Sequence, residues 1–105
     1  MWIYLTEGAF SIVAHRDKPR HLLVRSRHPE AINRAFPNAE QYYIMDADYP
    51  YRADIYRSDV VEFISQRMAL MTYDNFKNTV DDESYGMLLK NTWATYFNWG
   101  EKYRS

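Results

Sequence analysis

The stretch WIYLTEGAFSIVAH, Trp2–His15, followed after a polar loop by HLLVRSR, His21–Arg27, decides the fold. Trp2–Thr6 alternates and is rich in β-formers. Glu7-Gly8 reads as a turn, and Ala9–His15 is a second apolar run. Gly8 is able to supply the positive φ that a tight hairpin needs. His15-Arg16-Asp17-Lys18-Pro19-Arg20 is a polar, proline-containing loop, and His21–Arg27 reads as a third strand. Connections this short join antiparallel neighbours, because a parallel crossover needs a dozen or more residues. The first 27 residues therefore predict a three-stranded antiparallel meander.

Working outward, Pro29 suits a first helical turn, where its missing N–H costs nothing. Ser26 or His28 is then at or near the cap, and Ala31, Ile32, Ala35 and Phe36 form an apolar stripe at helical spacing. Pro37-Asn38 ends this helix. Gln41–Met45 reads as a strand, Asp46–Pro50 as a loop, and Tyr51–Arg57 as a half-exposed strand with Tyr51, Ala53, Ile55 and Arg57 on one side and Arg52, Asp54 and Tyr56 on the other. Ser58 or Asp59 starts the next helix, Asp59 and Glu62 having capping-box spacing. Val60, Val61, Ile64, Met68 and Met71 mark its expected buried stripe. Thr72–Thr79 is polar with Tyr73 and Phe76 as anchors. Asp81-Asp82-Glu83 then opens a last helix, where the dipole favours acids. Tyr85, Leu88, Leu89, Thr92, Trp93, Tyr96 and Phe97 recur every three or four residues, so this helix is expected to lay an aromatic stripe on the core. The chain reads as one α+β domain over residues 1–99 with a frayed tail at 100–105. It has about five strands in a single antiparallel layer, order βββ-α-ββ-αα, and helices packed on one face.

Composition narrows the setting. A chain of 105 residues with 47% hydrophobic and 26% charged residues is an ordinary globular domain. Aromatics make up 17%, and ten of them are tyrosines, which serve both cores and contact surfaces. The absence of cysteine excludes disulfides, thiolate metal sites and a cysteine nucleophile, and favours a reducing compartment. Met1–Glu7 lacks the basic start of a signal peptide, and no apolar run approaches the ~20 residues of a membrane span. A cytoplasmic protein with no membrane partner is the expectation. Net charge is −1, but residues 1–36 hold six Lys/Arg against three acids. A basic end is therefore set against an acidic remainder.

Several segments carry a resemblance. FSIVAHR at Phe10–Arg16, LLVRSR at Leu22–Arg27, ADYPYRA at Ala47–Ala53, YDNFKN at Tyr73–Asn78 and W-x-x-Y at Trp93–Tyr96 look, in this order, like a family of small uncharacterised bacterial proteins. The resemblance spans residues 1–97. It implies a compact cytosolic domain and implies no reaction.

Four sets of side chains are candidates for function. Arg25 and Arg27, two apart on a strand, share a face and are able to clamp a carboxylate or phosphate, or to pair with acids in solvent. Asp48, Tyr49, Tyr51 and Arg52 crowd Pro50, as a polar binding site or as an Asx-turn with tyrosines closing the core edge. Tyr73, Asn75 and Lys77 sit in a loop of mixed chemistry. His15, His21 and His28 match no metal-ligand spacing, and three glycines leave no P-loop or dinucleotide pattern, so no metal and no cofactor are expected. The leading reading is a non-catalytic protein-binding or regulatory module whose partner is another protein or itself, as a homodimer. Against it stand a small enzyme with a site at Asp48, Arg52, Asn75 and Lys77, and a nucleic-acid-binding protein using the basic 15–28 segment.

Overall fold

Gly8 sets the first turn. Its φ of +148° lies where side chains are strained, and no other described residue but glycine has a positive φ. The turn itself is Thr6-Glu7, one residue earlier than the sequence suggests, and Gly8 already pairs with Leu5. The computed structural model describes residues 1–104. β1 (Trp2–Leu5) and β2 (Gly8–Ala14) form the hairpin, β3 (His21–Ser26) pairs with β2, and β5 (Tyr51–Tyr56) pairs with β3. β4 covers only Tyr42–Tyr43 and closes the far edge on β5, so the expected strand over 41–45 is cut to two residues. Beyond it the chain bends back on itself, Ile44 N donating to the Pro50 carbonyl at 2.9 Å. The sheet is antiparallel throughout, in the order β1-β2-β3-β5-β4.

Pairing places Ile12 against Val24 and Val24 against Ala53. These positions define one face, and Val24 and Ala53 are fully buried on it. α1 (Ala31–Ala35) and α2 (Arg57–Ala69) supply the rest of that core through Ala31, Ile32, Ala35 and Val60. The α+β class, with a five-stranded antiparallel sheet, is as the alternation predicts.

The helix ends differ from expectation. α1 begins at Ala31 after Glu30, with no side-chain cap. Ser26 and His28 instead hold the turn that leads into it. Ser26 Oγ donates to the Ala9 carbonyl and accepts from His28 N, while His28 Nδ1 accepts from Glu30 N. β5 runs straight into α2 at Arg57, so Asp59 lies inside the helix and the Asp59–Glu62 capping box does not form. The Arg57 N–H is satisfied by the Arg20 carbonyl at 2.8 Å. Of the expected α2 stripe, Val60 is buried and Ile64 packs partly on the core with Phe63, whereas Val61, Met68 and Met71 are exposed.

The chain divides into two compact units, Met1–Met71 and Thr72–Ser105. The second holds a 3₁₀ turn at Phe76–Thr79 and the long helix α3 (Glu83–Glu101). Asp82 caps α3, its Oδ1 accepting from Tyr85 N at 2.9 Å and from the Ser84 hydroxyl at 3.1 Å. Gly100 and Glu101 continue the helix, where a frayed tail is expected from residue 100. Ser105 lies outside the described residues.

A Cβ built on Gly8 meets the Ala31 Cβ at 2.7 Å, so the glycine is required by φ and by the seat of α1. Gly8→Ala is expected to cost about 2–4 kcal/mol, combining positive-φ strain with overpacking. Urea unfolding monitored by circular dichroism measures it, and a loss under about 1 kcal/mol contradicts this account.

Candidate functional site

Register assembles one cluster at the β3–β5 end of the sheet. Arg25 stands opposite both Ser11 on β2 and Arg52 on β5. By alternation these three lie on the face away from Val24 and Ala53, and so away from α1 and α2. Arg25 Nη2 donates to Ser11 Oγ at 2.7 Å, and its guanidinium lies over the Tyr49 ring, 4.9 Å from the centroid. Arg52 Nε donates to the Tyr49 carbonyl at 2.9 Å, and its Nη2 is 3.7 Å from Asp48 Oδ1. Arg27 Nη1 donates to the Asp48 carbonyl. Asp48 Oδ1 also accepts from Tyr49 N, the Asx-type local bond foreseen for this loop. Arg25, Arg27, Asp48 and Arg52 thus converge on one turn. Tyr51 does not join them: it sits on the opposite side of β5, packs on the core and lies against the Tyr43 ring at 5.3 Å.

A second cluster forms around Asp54, a residue that no motif of the sequence marks. Asp54 accepts from Lys18 Nζ and from the Tyr42 hydroxyl, each at 2.8 Å, and lies 3.2 Å from His15 Nε2. Burial works to raise its pKa. The hydrogen bonds from Lys18 and Tyr42 and the charge of Lys18 outweigh that and hold the carboxyl below its usual value. Burial, then the bond to Asp54 and its charge, push the Tyr42 hydroxyl up to about 12. The arrangement resembles a catalytic His–Asp pair, but His15 Nδ1 accepts the N–H groups of Asp17 and Lys18, both at 3.1 Å. Both ring nitrogens are engaged, so none faces a substrate. Asp54 is a structural hub that ties the 15–20 loop and β4 to β5. An acid in the middle of a strand was the only hint of it, because its partners come from 12 and more positions away.

The basic residues of the 15–28 segment divide accordingly. Lys18 is held by Asp54 beside the His21 end of β3, and Arg25 and Arg27 lie at the other. An open cleft of about 590 Å³ runs along the first unit, lined by His21, Phe36, Glu40, Tyr56 and Asp59 among others. Among the described residues no group of three or more acids and histidines is placed to hold a metal ion, and no helix is long and apolar enough to cross a membrane.

In the second unit, Lys77 Nζ donates to Asn75 Oδ1 at 3.1 Å and lies over the Trp93 ring, 5.2 Å from its centroid. Tyr73 lies against Phe76 at 5.7 Å. Asn75 and Lys77 belong to this unit and Asp48 and Arg52 to the first, and each pair finds its partners within its own unit. The apolar stripe of α3 has the predicted spacing but not the predicted burial. Leu89 is its one buried residue, whereas Leu88, Trp93, Tyr96, Phe97 and Trp99 are exposed. Trp93 stacks on Phe97 at 5.2 Å and Tyr96 on Trp99 at 5.8 Å.

Comparison with family models, with curated proteins and with solved structures returns no match.

The Asp54 hub has a pH signature. A raised tyrosine pKa contributes stability that is whole below the unfolded value near 10 and lost as pH climbs toward 12. The lowered Asp54 pKa contributes stability that is whole above the ordinary carboxylate value and lost as pH falls through the folded one. Tyr42→Phe is expected to flatten the alkaline loss, and Asp54→Asn to cost about 2 kcal/mol at neutral pH by stripping Lys18 and Tyr42 of their acceptor. Urea titrations from acid to alkaline pH check both, and an unchanged alkaline limb in Tyr42→Phe refutes the assignment.

Proposed function

We propose that this chain is a non-catalytic protein-binding module, with the apolar arc of α3 as its contact surface and a second copy of the chain as the partner. The observation that carries the reading is the exposure of that arc. Leu88, Trp93, Tyr96, Phe97 and Trp99 fall within about half the circumference of the helix, along about three turns, and Tyr96 is 71% exposed. Contiguous apolar surface of this kind marks an interaction site, and aromatic rings are what interface centres recruit.

Charge favours a second copy. Asp81, Asp82 and Glu83 stand at the start of α3, and at its end Lys102 and Arg104 outnumber Glu101. Two such helices laid antiparallel set the acidic end of each beside the basic end of the other, the self-complementary arrangement of a two-fold interface. Four rings about half exposed, with Leu88, offer on the order of 1,000 Å² across two copies, the threshold for a stable contact.

Light scattering at increasing protein concentration is expected to give the mass of two chains, with weaker association at high salt. Tyr96→Glu charges the arc at a position too exposed to disturb folding. It is expected to weaken dimerisation at least tenfold, about 1.4 kcal/mol. A wild-type monomer up to roughly 100 μM, or a Tyr96→Glu dimer of unchanged strength, overturns the proposal.

A further inference from the structure

We infer that Arg25, Arg27 and Arg52 form a binding site for a phosphate-class dianion, independent of the surface on α3. Arg25 and Arg52 are direct cross-strand partners, so their Cβ atoms are ~5 Å apart on one face. Like charges in that relation destabilise a sheet unless something neutralises them. Neither side chain is free to swing into solvent. The Arg52 side chain is 17% exposed and held by the Tyr49 carbonyl; Arg25 is half-buried, anchored on Ser11 and covered on one face by the Tyr49 ring.

The available negative charge is too small. Asp48 is the carboxylate in reach, 3.7 Å from Arg52 and itself 74% exposed. Among the described residues no carboxylate pairs with Arg25 or Arg27. Arg27 adds a third guanidinium by bonding the Asp48 carbonyl, which brings charge to the turn without neutralising any. Three cations against one anion leave an excess of two.

That count selects the ligand. A carboxylate supplies one negative charge, whereas a phosphate monoester or inorganic phosphate supplies ~1.5–2 near neutrality. Guanidinium forks match phosphate oxygens in pairs. The heads are already oriented by Ser11, by the Tyr49 ring and by the Tyr49 and Asp48 carbonyls, so little ordering remains to oppose binding. Arg25 has further capacity: among the described residues its Nη2 bond to Ser11 is the one hydrogen bond of a group with five donors, and its buried Nε has no partner there.

Titration of the full chain with inorganic phosphate, phenyl phosphate and acetate at matched ionic strength tests the site, read by amide and arginine Nε–H NMR shifts and by melting temperature. Saturable shifts confined to residues 25–27 and 48–52 are expected with both phosphates, together with a rise in melting temperature, and neither with acetate. Tighter binding of phenyl phosphate than of inorganic phosphate identifies an esterified ligand, and equal binding identifies the free ion. Arg25→Gln and Arg27→Gln are each expected to weaken binding at least tenfold, and Arg16→Gln, an exposed charge in the 15–20 loop, to leave it unchanged. Arg27 is exposed, so its variant tests the site even where Arg25→Gln fails to fold. An acetate response equal to that of phosphate, no saturable phosphate response, or undiminished binding by Arg27→Gln overturns the inference.

Discussion

The register of β3 between β2 and β5 is the constraint on which the first unit depends. It aligns Ile12, Val24 and Ala53 in one row beneath α1 and α2, and Ser11, Arg25 and Arg52 in the next row on the other face. Side chains alternate with a period of two, so a slip of one residue would carry Arg25 into the core and Val24 out of it. The cost of burying an unpaired guanidinium pins the register as firmly as the gain from burying Val24. The arginine cluster is thus part of the specification of the fold as well as a chemical feature of its surface.

Two devices hold the ends of that register. At one, Asp54 gathers Lys18, His15 and Tyr42, fastening the 15–20 loop and the short edge strand to β5. At the other, Ser26, itself buried, bonds the Ala9 carbonyl and the His28 N–H and so aims the chain into α1. Gly8 lets α1 settle on the sheet, and Arg67 reaches from α2 to Glu7 and Thr6 on the same hairpin. Each device joins residues distant in sequence, as non-local sheet contacts must.

How much of this was legible follows from the range of each interaction. The alternation of Trp2–Leu5, Gly8–Ala14 and Tyr51–Tyr56 reports a face for every residue, so strands and sheet class could be read directly, whereas Arg27 lies beyond the end of β3 at Ser26. The opposition of Arg25 to Arg52 could not, because the pairing offset between β3 and β5 has no local signal. Tyr51 was grouped with Arg52 by proximity in sequence, yet adjacent strand positions point to opposite faces. The Asp59–Glu62 spacing suggested a cap, but β5 continues into the helix and the Arg20 carbonyl takes the N–H that needed a partner.

The last helix shows the same limit from the other side. Its period was readable, and the apolar arc is where the spacing puts it, but periodicity reports that a helix has an apolar face and not what covers it. In α2 the analogous stripe is thinned by exposure of Val61 and Met68, and the helix is still anchored by Val60, Phe63 and Ile64. In α3 only Leu89 is buried, and the rings of Trp93, Tyr96, Phe97 and Trp99 are left to stack on one another. Stacking along one helix shields part of each ring and orders the side chains in advance. The entropy of fixing them is then already spent before any partner arrives, which is the condition under which exposed aromatic area becomes binding energy.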